Sequence, residues 1–119
     1  SKKKFEALDL WLTISYEIAI SPMYIFLLST KLIGKDNLGM FHFGENHRGY
    51  LGSGHINFEE TFKSLKEINY SGIITFESFS SEVVDPVLSN TLAVWRNLWS
   101  NSEDLASEAL KFIKNGLGS

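Results

Sequence analysis

At 119 residues the chain has room for one domain or part of one, since a single domain typically runs to about 150 residues. Apolar residues make up 44%, aromatic residues 13% and charged residues 21%, a balance that buries a core and excludes disordered and collagen-like chains. A net charge of −3 offers no cationic surplus for phosphate backbones, so nucleic acid is excluded as the main partner. The absence of cysteine excludes disulfides, thiolate metal sites and a cysteine nucleophile, and leaves a reducing cytoplasm as the default compartment.

From Leu10 to Leu28 the only charged residue is Glu17, which raises the question of a membrane span. Glu6 and Asp9 interrupt any signal-peptide pattern, and Ser21-Pro22 reads as a helix start, so no membrane segment is expected. Leu10–Ile20 has strand composition, and the apolar stretch from Ser21-Pro22 to Ile33 reads as a short buried helix ended by Gly34. Gly39–Phe43 is a strand-length apolar run carrying one imidazole, followed by a polar, glycine-rich loop from Gly44 to Ile56.

Asn57 with Glu60 fits a capping box, and Phe58, Phe62, Leu65 and Ile68 recur at helical spacing behind it. Ser71-Gly72 then turns the chain into Ile73–Glu77, a buried strand that ends in a carboxylate. Two further helices are expected, about Leu88–Trp99 and Glu103–Lys114, before a fraying tail at Gly116–Ser119. Strand, helix, strand, helix with short connections predicts parallel βα units.

Alternation along a strand puts Met40 and His42 on one face and Phe41 and Phe43 on the other. Likewise Ile73, Thr75 and Glu77 share a face, opposite Ile74 and Phe76. The aromatic faces suit packing under helices, which turns His42 and Glu77 inward near the C-terminal ends of their strands. Active sites of parallel βα barrels assemble there. An imidazole and a carboxylate are suitable ligands for a divalent ion such as Mn²⁺, Co²⁺ or Mg²⁺. A lone strand histidine is also an ordinary hydrogen-bonded structural residue, and a terminal glutamate an ordinary solvated or capping group. Spacing alone leaves both readings open.

Three stretches narrow the choice: Phe41-His42-Phe43-Gly44-Glu45-Asn46-His47-Arg48, Gly52-Ser53-Gly54-His55-Ile56-Asn57-Phe58 and Ile74-Thr75-Phe76-Glu77-Ser78-Phe79, closed by Val94-Trp95-Arg96. Together they resemble the C-terminal part of the ketose 3-epimerases, the D-tagatose and D-psicose (allulose) 3-epimerase group of the sugar phosphate isomerase/epimerase superfamily. The resemblance runs from Gly34 to Trp99 and implies an α/β fold, the C-terminal portion of a (β/α)8 TIM barrel with a xylose-isomerase-like architecture. On this basis the chain divides into a poorly matched segment 1–33, the last two βα units over 34–99, and a C-terminal helix and tail over 100–119.

The resemblance implies that His42 is a metal ligand on the seventh strand, and that Glu77 on the eighth is both a ligand and one of two catalytic acid/base carboxylates. Arg48 corresponds to the arginine that holds substrate hydroxyls. Glu45 is either a loop carboxylate orienting its neighbours or a direct participant. His47 and His55 read as loop residues, and Trp95, Trp99 and the phenylalanines as core or interface aromatics. Leu51 stands where many relatives have proline, a change that bears on the rigidity of the loop.

The implied reaction epimerises a ketose at the carbon beside the carbonyl through an ene-diolate, with a divalent metal as Lewis acid and two carboxylates as base and acid. The implied partner is a small-molecule ketose or related sugar. Ungapped extension places the sixth-strand Asp ligand and substrate-binding His of the family at Tyr16 and Ala19, which cannot serve. A whole barrel needs about 250 residues. The chain is therefore expected to carry part of a barrel, to be inactive alone, and to associate with another chain through unpaired sheet edges. A non-catalytic remnant acting as a folding or association module is the alternative. Endonuclease IV-like DNA repair shares the superfamily fold but needs a richer His and carboxylate cluster than three histidines allow.

Overall fold

The computed structural model describes residues 30–118. In chain order it contains strand β1 (Met40–Phe43), helix α1 (Phe58–Glu67), strand β2 (Ile73–Phe76), helix α2 (Pro86–Thr91) and helix α3 (Ser102–Leu117). β1 and β2 pair in parallel, with Met40 opposite Ile73, Phe41 opposite Ile74, His42 opposite Thr75 and Phe43 opposite Phe76. Parallel pairing requires a crossover, and α1 supplies it. The strand, helix, strand reading is thereby realised.

Phe41 and Phe43 point into a core built with Leu51, Phe58, Phe62, Leu65, Ala109 and Ile113, against which Ile74 and Phe76 also pack. α1 brings Phe58, Phe62 and Leu65 to one stripe, and α3 brings Leu105, Ala109 and Ile113. The Phe43 ring lies 5.3 Å from that of Phe62, and Phe58 meets Phe112 edge-on at 5.3 Å. Each such ring removes enough apolar surface from water to contribute about 1.5–3 kcal/mol. Alternation then leaves His42 and Thr75 on the sheet face away from the helices.

The helix ends show which local signals operate. The expected capping box at Asn57 does not form: its side chain makes no cap hydrogen bond, and Phe58 N–H instead donates to the Ile56 carbonyl at 3.1 Å. α1 stops where Asn69 takes a left-handed φ of 52°. Asn69 N–H then bonds Lys66 O at 3.0 Å and Tyr70 N–H bonds Leu65 O at 2.9 Å, the two closing bonds of a Schellman motif. At α3, Asn101 caps the N-terminus by accepting from Glu103 N and Asp104 N, both at 3.0 Å. The tail expected to fray is ordered instead through Leu117, because Gly118 caps the helix with φ 79°.

The helix expected over Leu88–Trp99 is shorter and begins earlier. Pro86 opens it after Asp85, whose carboxylate accepts from Val87 N at 2.9 Å. It ends at Thr91 because Ala93 turns left-handed, φ 55°, and Val94 N–H bonds Ser89 O at 2.9 Å. Residues beyond are held by Ser80, whose buried hydroxyl accepts from Leu98 N at 2.9 Å and Trp99 N at 3.2 Å.

At the start of the described residues, Gly34 has φ 67° and its N–H bonds Thr30 O at 3.0 Å, consistent with the expected helix stop. Among the described residues no helix is long and apolar enough to cross a membrane. The stretch Leu10–Leu28, the strand expected at Leu10–Ile20, and Tyr16 and Ala19 lie outside the described residues.

Candidate functional site

The two loops that leave the C-terminal ends of β1 and β2 are joined by a set of contacts centred on Arg48 and Glu77. Glu77 follows β2 directly, and its N–H donates to Phe43 O at 2.9 Å, carrying the ladder one residue past the strand. Arg48 sits in the β1 loop with a left-handed φ of 68°, at the end of a turn closed by its own N–H to Glu45 O at 2.9 Å. From there Nη1 donates to Glu77 Oε1 at 2.8 Å, with the two side chains 19% and 34% exposed.

The Arg48 carbonyl is fixed from the β2 side. It accepts from Phe79 N at 3.0 Å and from the Ser78 hydroxyl, and Ser78 Oγ in turn accepts from the Trp99 indole N–H at 2.7 Å. The Phe79 ring lies 5.9 Å from the guanidinium carbon, within cation–π range. Ser78, Phe79 and Trp99 thus brace the arginine. Only the resemblance at Phe76-Glu77-Ser78-Phe79 marks that stretch in the sequence, and no spacing rule assigns it this work.

His42 is half-buried and stands in register with Thr75, two residues before Glu77 on the neighbouring strand. Its Nε2 atom is buried, and Thr75 Oγ1 beside it is a buried hydroxyl that makes no hydrogen bond among the described residues. Imidazole nitrogen and carboxylate oxygen are donors of the right chemistry for a divalent ion, and Glu77 Oε2 lies outside the Arg48 contact. The donor types fit such an ion, as part of a set: among the described residues no group of three or more His, Cys, Asp or Glu converges to hold one.

The remaining loop residues are placed clearly. Glu45 is fully buried, and accepts at Oε1 from Asn46 N at 3.0 Å and Ile56 N at 3.4 Å, and at Oε2 from Gly52 N at 2.9 Å. His47 is a loop residue, as expected: Nδ1 accepts from Gly49 N at 2.9 Å, which leaves Nε2 to donate toward Ser53 Oγ at 3.1 Å. His55 is exposed and its N–H bonds the Asn46 amide oxygen at 2.9 Å. Leu51 is buried in the core cluster. Tyr50 reaches across to α3, donating its hydroxyl proton to Asp104 Oδ2 at 2.6 Å, and that bond is the main cause of a phenol pKa above the usual tyrosine value. An open cleft of about 240 Å³ adjoins the His47–Arg48 turn, with Trp95, 72% exposed, on its lining.

Parallel βα units with charged residues at the C-terminal ends of the strands place the chain among the α/β proteins, of which the β/α barrels are one class. Residues 20–116 match the family model for the xylose isomerase-like TIM barrel, and the chain belongs to that family. The L-ribulose 3-epimerase of Methylomonas sp. (strain DH-1) is 64% identical over 88 residues, covering 74% of this chain and 31% of that protein. The ketose 3-epimerase of Arthrobacter globiformis is 45% identical over 105 residues, covering 88% of this chain and 35% of that one. The fold superposes on a crystal structure of D-allulose 3-epimerase from Methylomonas sp. with a TM-score of 0.74 at 54% identity, covering 87% of this chain and 35% of that one. A complex of that enzyme with D-allulose gives a TM-score of 0.72 at 54% identity, over 85% of this chain and 34% of that chain. The chain spans about a third of the length of these relatives. It is an incomplete portion of the barrel.

Proposed function

We propose that this chain contributes one side of a ketose 3-epimerase active site, with His42 and Glu77 as two ligands of a divalent ion and Arg48 as the group that holds substrate hydroxyls. The observation that carries the reading is the Arg48–Glu77 contact, which sets a guanidinium and a carboxylate side by side at the C-terminal ends of adjacent parallel strands. Relatives at 64% and 45% identity with epimerase activity support it.

In this reading Glu77 takes the proton from the carbon beside the ketose carbonyl, and a second carboxylate from elsewhere in a barrel delivers a proton to the opposite face. Arg48 orients the sugar through charge-assisted hydrogen bonds, each contributing about 1.5–3 kcal/mol. A divalent ion, Mn²⁺, Co²⁺ or Mg²⁺, held by His42 and Glu77 would supply Lewis-acid stabilisation of the negative charge that develops on the substrate oxygens. Thr75 lines the same face. Two donors and one acid/base group do not complete this chemistry, so the 119-residue chain alone turns over ketose at no more than a trace. The outer edges of β1 and β2 are the surfaces through which it pairs with further strands, in a second copy or another chain.

The test is a graft. Residues 34–118 replace the matching segment of the Methylomonas enzyme, and the chimera is assayed for ketose epimerisation with and without a divalent ion. The expected result is metal-dependent turnover that falls about 10²–10⁴-fold with Glu77→Gln, and that His42→Ala reduces alongside metal affinity. A folded chimera without turnover would favour the non-catalytic module instead.

A further inference from the structure

We propose that Glu45 is a positioning residue: its buried carboxylate organises the loop after β1 and thereby holds Arg48 against Glu77. The inference rests on the reading of Arg48 and Glu77 as site residues, and assigns Glu45 neither metal binding nor proton transfer.

A carboxylate with no exposed surface is costly to bury unless its oxygens are satisfied. Among the described residues no Lys or Arg nitrogen comes within salt-bridge distance of it. Three backbone N–H groups donate to it, from Asn46, Gly52 and Ile56, so a single side chain ties together the beginning, middle and end of the loop. Three N–H donors face it, the complement of a group that only accepts. Neither oxygen is turned outward to a ligand. The backbone of the same residue closes the turn that carries Arg48, through Glu45 O and Arg48 N at 2.9 Å.

That turn delivers Arg48 in a left-handed conformation, which is unfavourable for a residue with a side chain. Such a conformation persists only where the surroundings over-determine it. Ser78 and Phe79 fix the Arg48 carbonyl from one side. Glu45 fixes the turn from the other. Gly54 gives independent support: a Cβ there would fall on the Glu45 carboxylate and on the Asn46 amide oxygen, so the loop has left space for that carboxylate where any side chain would collide.

The test uses guanidinium NMR on the full chain, whose two arginines are Arg48 and the exposed Arg96. In the wild type the Arg48 Nη protons are expected to exchange at least about tenfold more slowly than those of Arg96, the signature of a held ion pair. Glu45→Gln keeps the size of the side chain but presents an NH₂ group to a backbone donor, and Glu45→Ala removes all three contacts. Both are expected to bring Arg48 exchange to the Arg96 rate while amide protection in α1 and α3 is retained. Gly54→Ala, which leaves Glu45 in place and displaces its carboxylate, is expected to do the same. Arg48 exchange that stays slow in all three variants overturns the proposal. So does loss of the signature only together with α1 and α3 protection, which would make Glu45 a fold residue. No sugar or metal enters the measurement, so a failure of the epimerase reading would leave these outcomes unmoved.

Discussion

Arg48 Nη1 and Glu77 Oε1 meet at 2.8 Å although they are held by loops leaving two different strands. Both side chains retain solvent contact, 19% and 34%, and a pair of that kind adds about 1 kcal/mol or less to stability. Its importance is therefore one of placement: a cation and an acid are presented together at the strand ends where barrel enzymes do chemistry.

The left-handed backbone at Arg48 gives a prediction whose sign distinguishes strain from side-chain loss. Arg48→Gly and Arg48→Ala both delete the ion pair, but glycine also relieves the positive φ of 68°. After allowing for the extra freedom of glycine in the unfolded chain, Arg48→Gly should be the more stable of the two by roughly 0.5–1 kcal/mol. Urea denaturation of the pair measures this, and equal midpoints would remove the strain argument.

Ala93 is a second such position, and here no ion pair is lost with the side chain. With φ 55° it closes α2, and the structure assigns its methyl group no role in the core. Ala93→Gly is expected to raise the unfolding free energy by about 0.5–1 kcal/mol, read as a higher thermal midpoint. A lower midpoint would mean that the turn does not carry strain.

The two asparagines that precede helices should respond differently to the same change. Asn101→Ala removes an acceptor used by Glu103 N and Asp104 N and should cost about 0.5–2 kcal/mol. Asn57→Ala removes a side chain that makes no cap bond and should stay within about 0.5 kcal/mol of wild type. Comparable losses at both sites in chemical denaturation would contradict the assigned cap geometry.

Tyr50 gives a pH dependence. Its phenol titrates above the usual value chiefly because it donates to Asp104, with smaller contributions from burial and from the negative charges of Asp104 and Glu108. A group whose folded pKa is raised stabilises fully below its unfolded pKa, and that stabilisation is lost as pH rises through the folded value. The link between the β1 loop and α3 should accordingly hold through neutral pH and loosen only in alkali. Following the Tyr50 ring carbon by NMR, Asp104→Asn should shift the titration midpoint down toward ordinary tyrosine. An unmoved midpoint would show that Asp104 is not the cause.

Much of the framework was legible from residue patterns because period-2 and helical spacings report burial directly. Phe41 and Phe43 opposite His42, and Phe58, Phe62 and Leu65 on one helix stripe, are read that way and found that way. The stop at Ala93 was not legible, since alanine is the strongest helix former and only its tertiary surroundings, Val94 buried and residues 98 and 99 pinned by Ser80, turn the chain there. The Asn57 capping pattern goes unused, because the entry to α1 is governed by a loop already fixed through Glu45 and Ile56. The family motif pointed to Arg48, but its meeting with Glu77 depends on a backbone conformation that no arginine announces.

The parallel register of β1 and β2 has a kinetic corollary. Arg48 and Glu77 stand 29 positions apart in the chain, and no hairpin between the strands can bring them together. Their loops align only after the intervening helix has docked and the closure entropy of the whole excursion has been met. The charged pair therefore depends on the apolar contacts beneath it, because the loops that carry it cannot align until that excursion is closed.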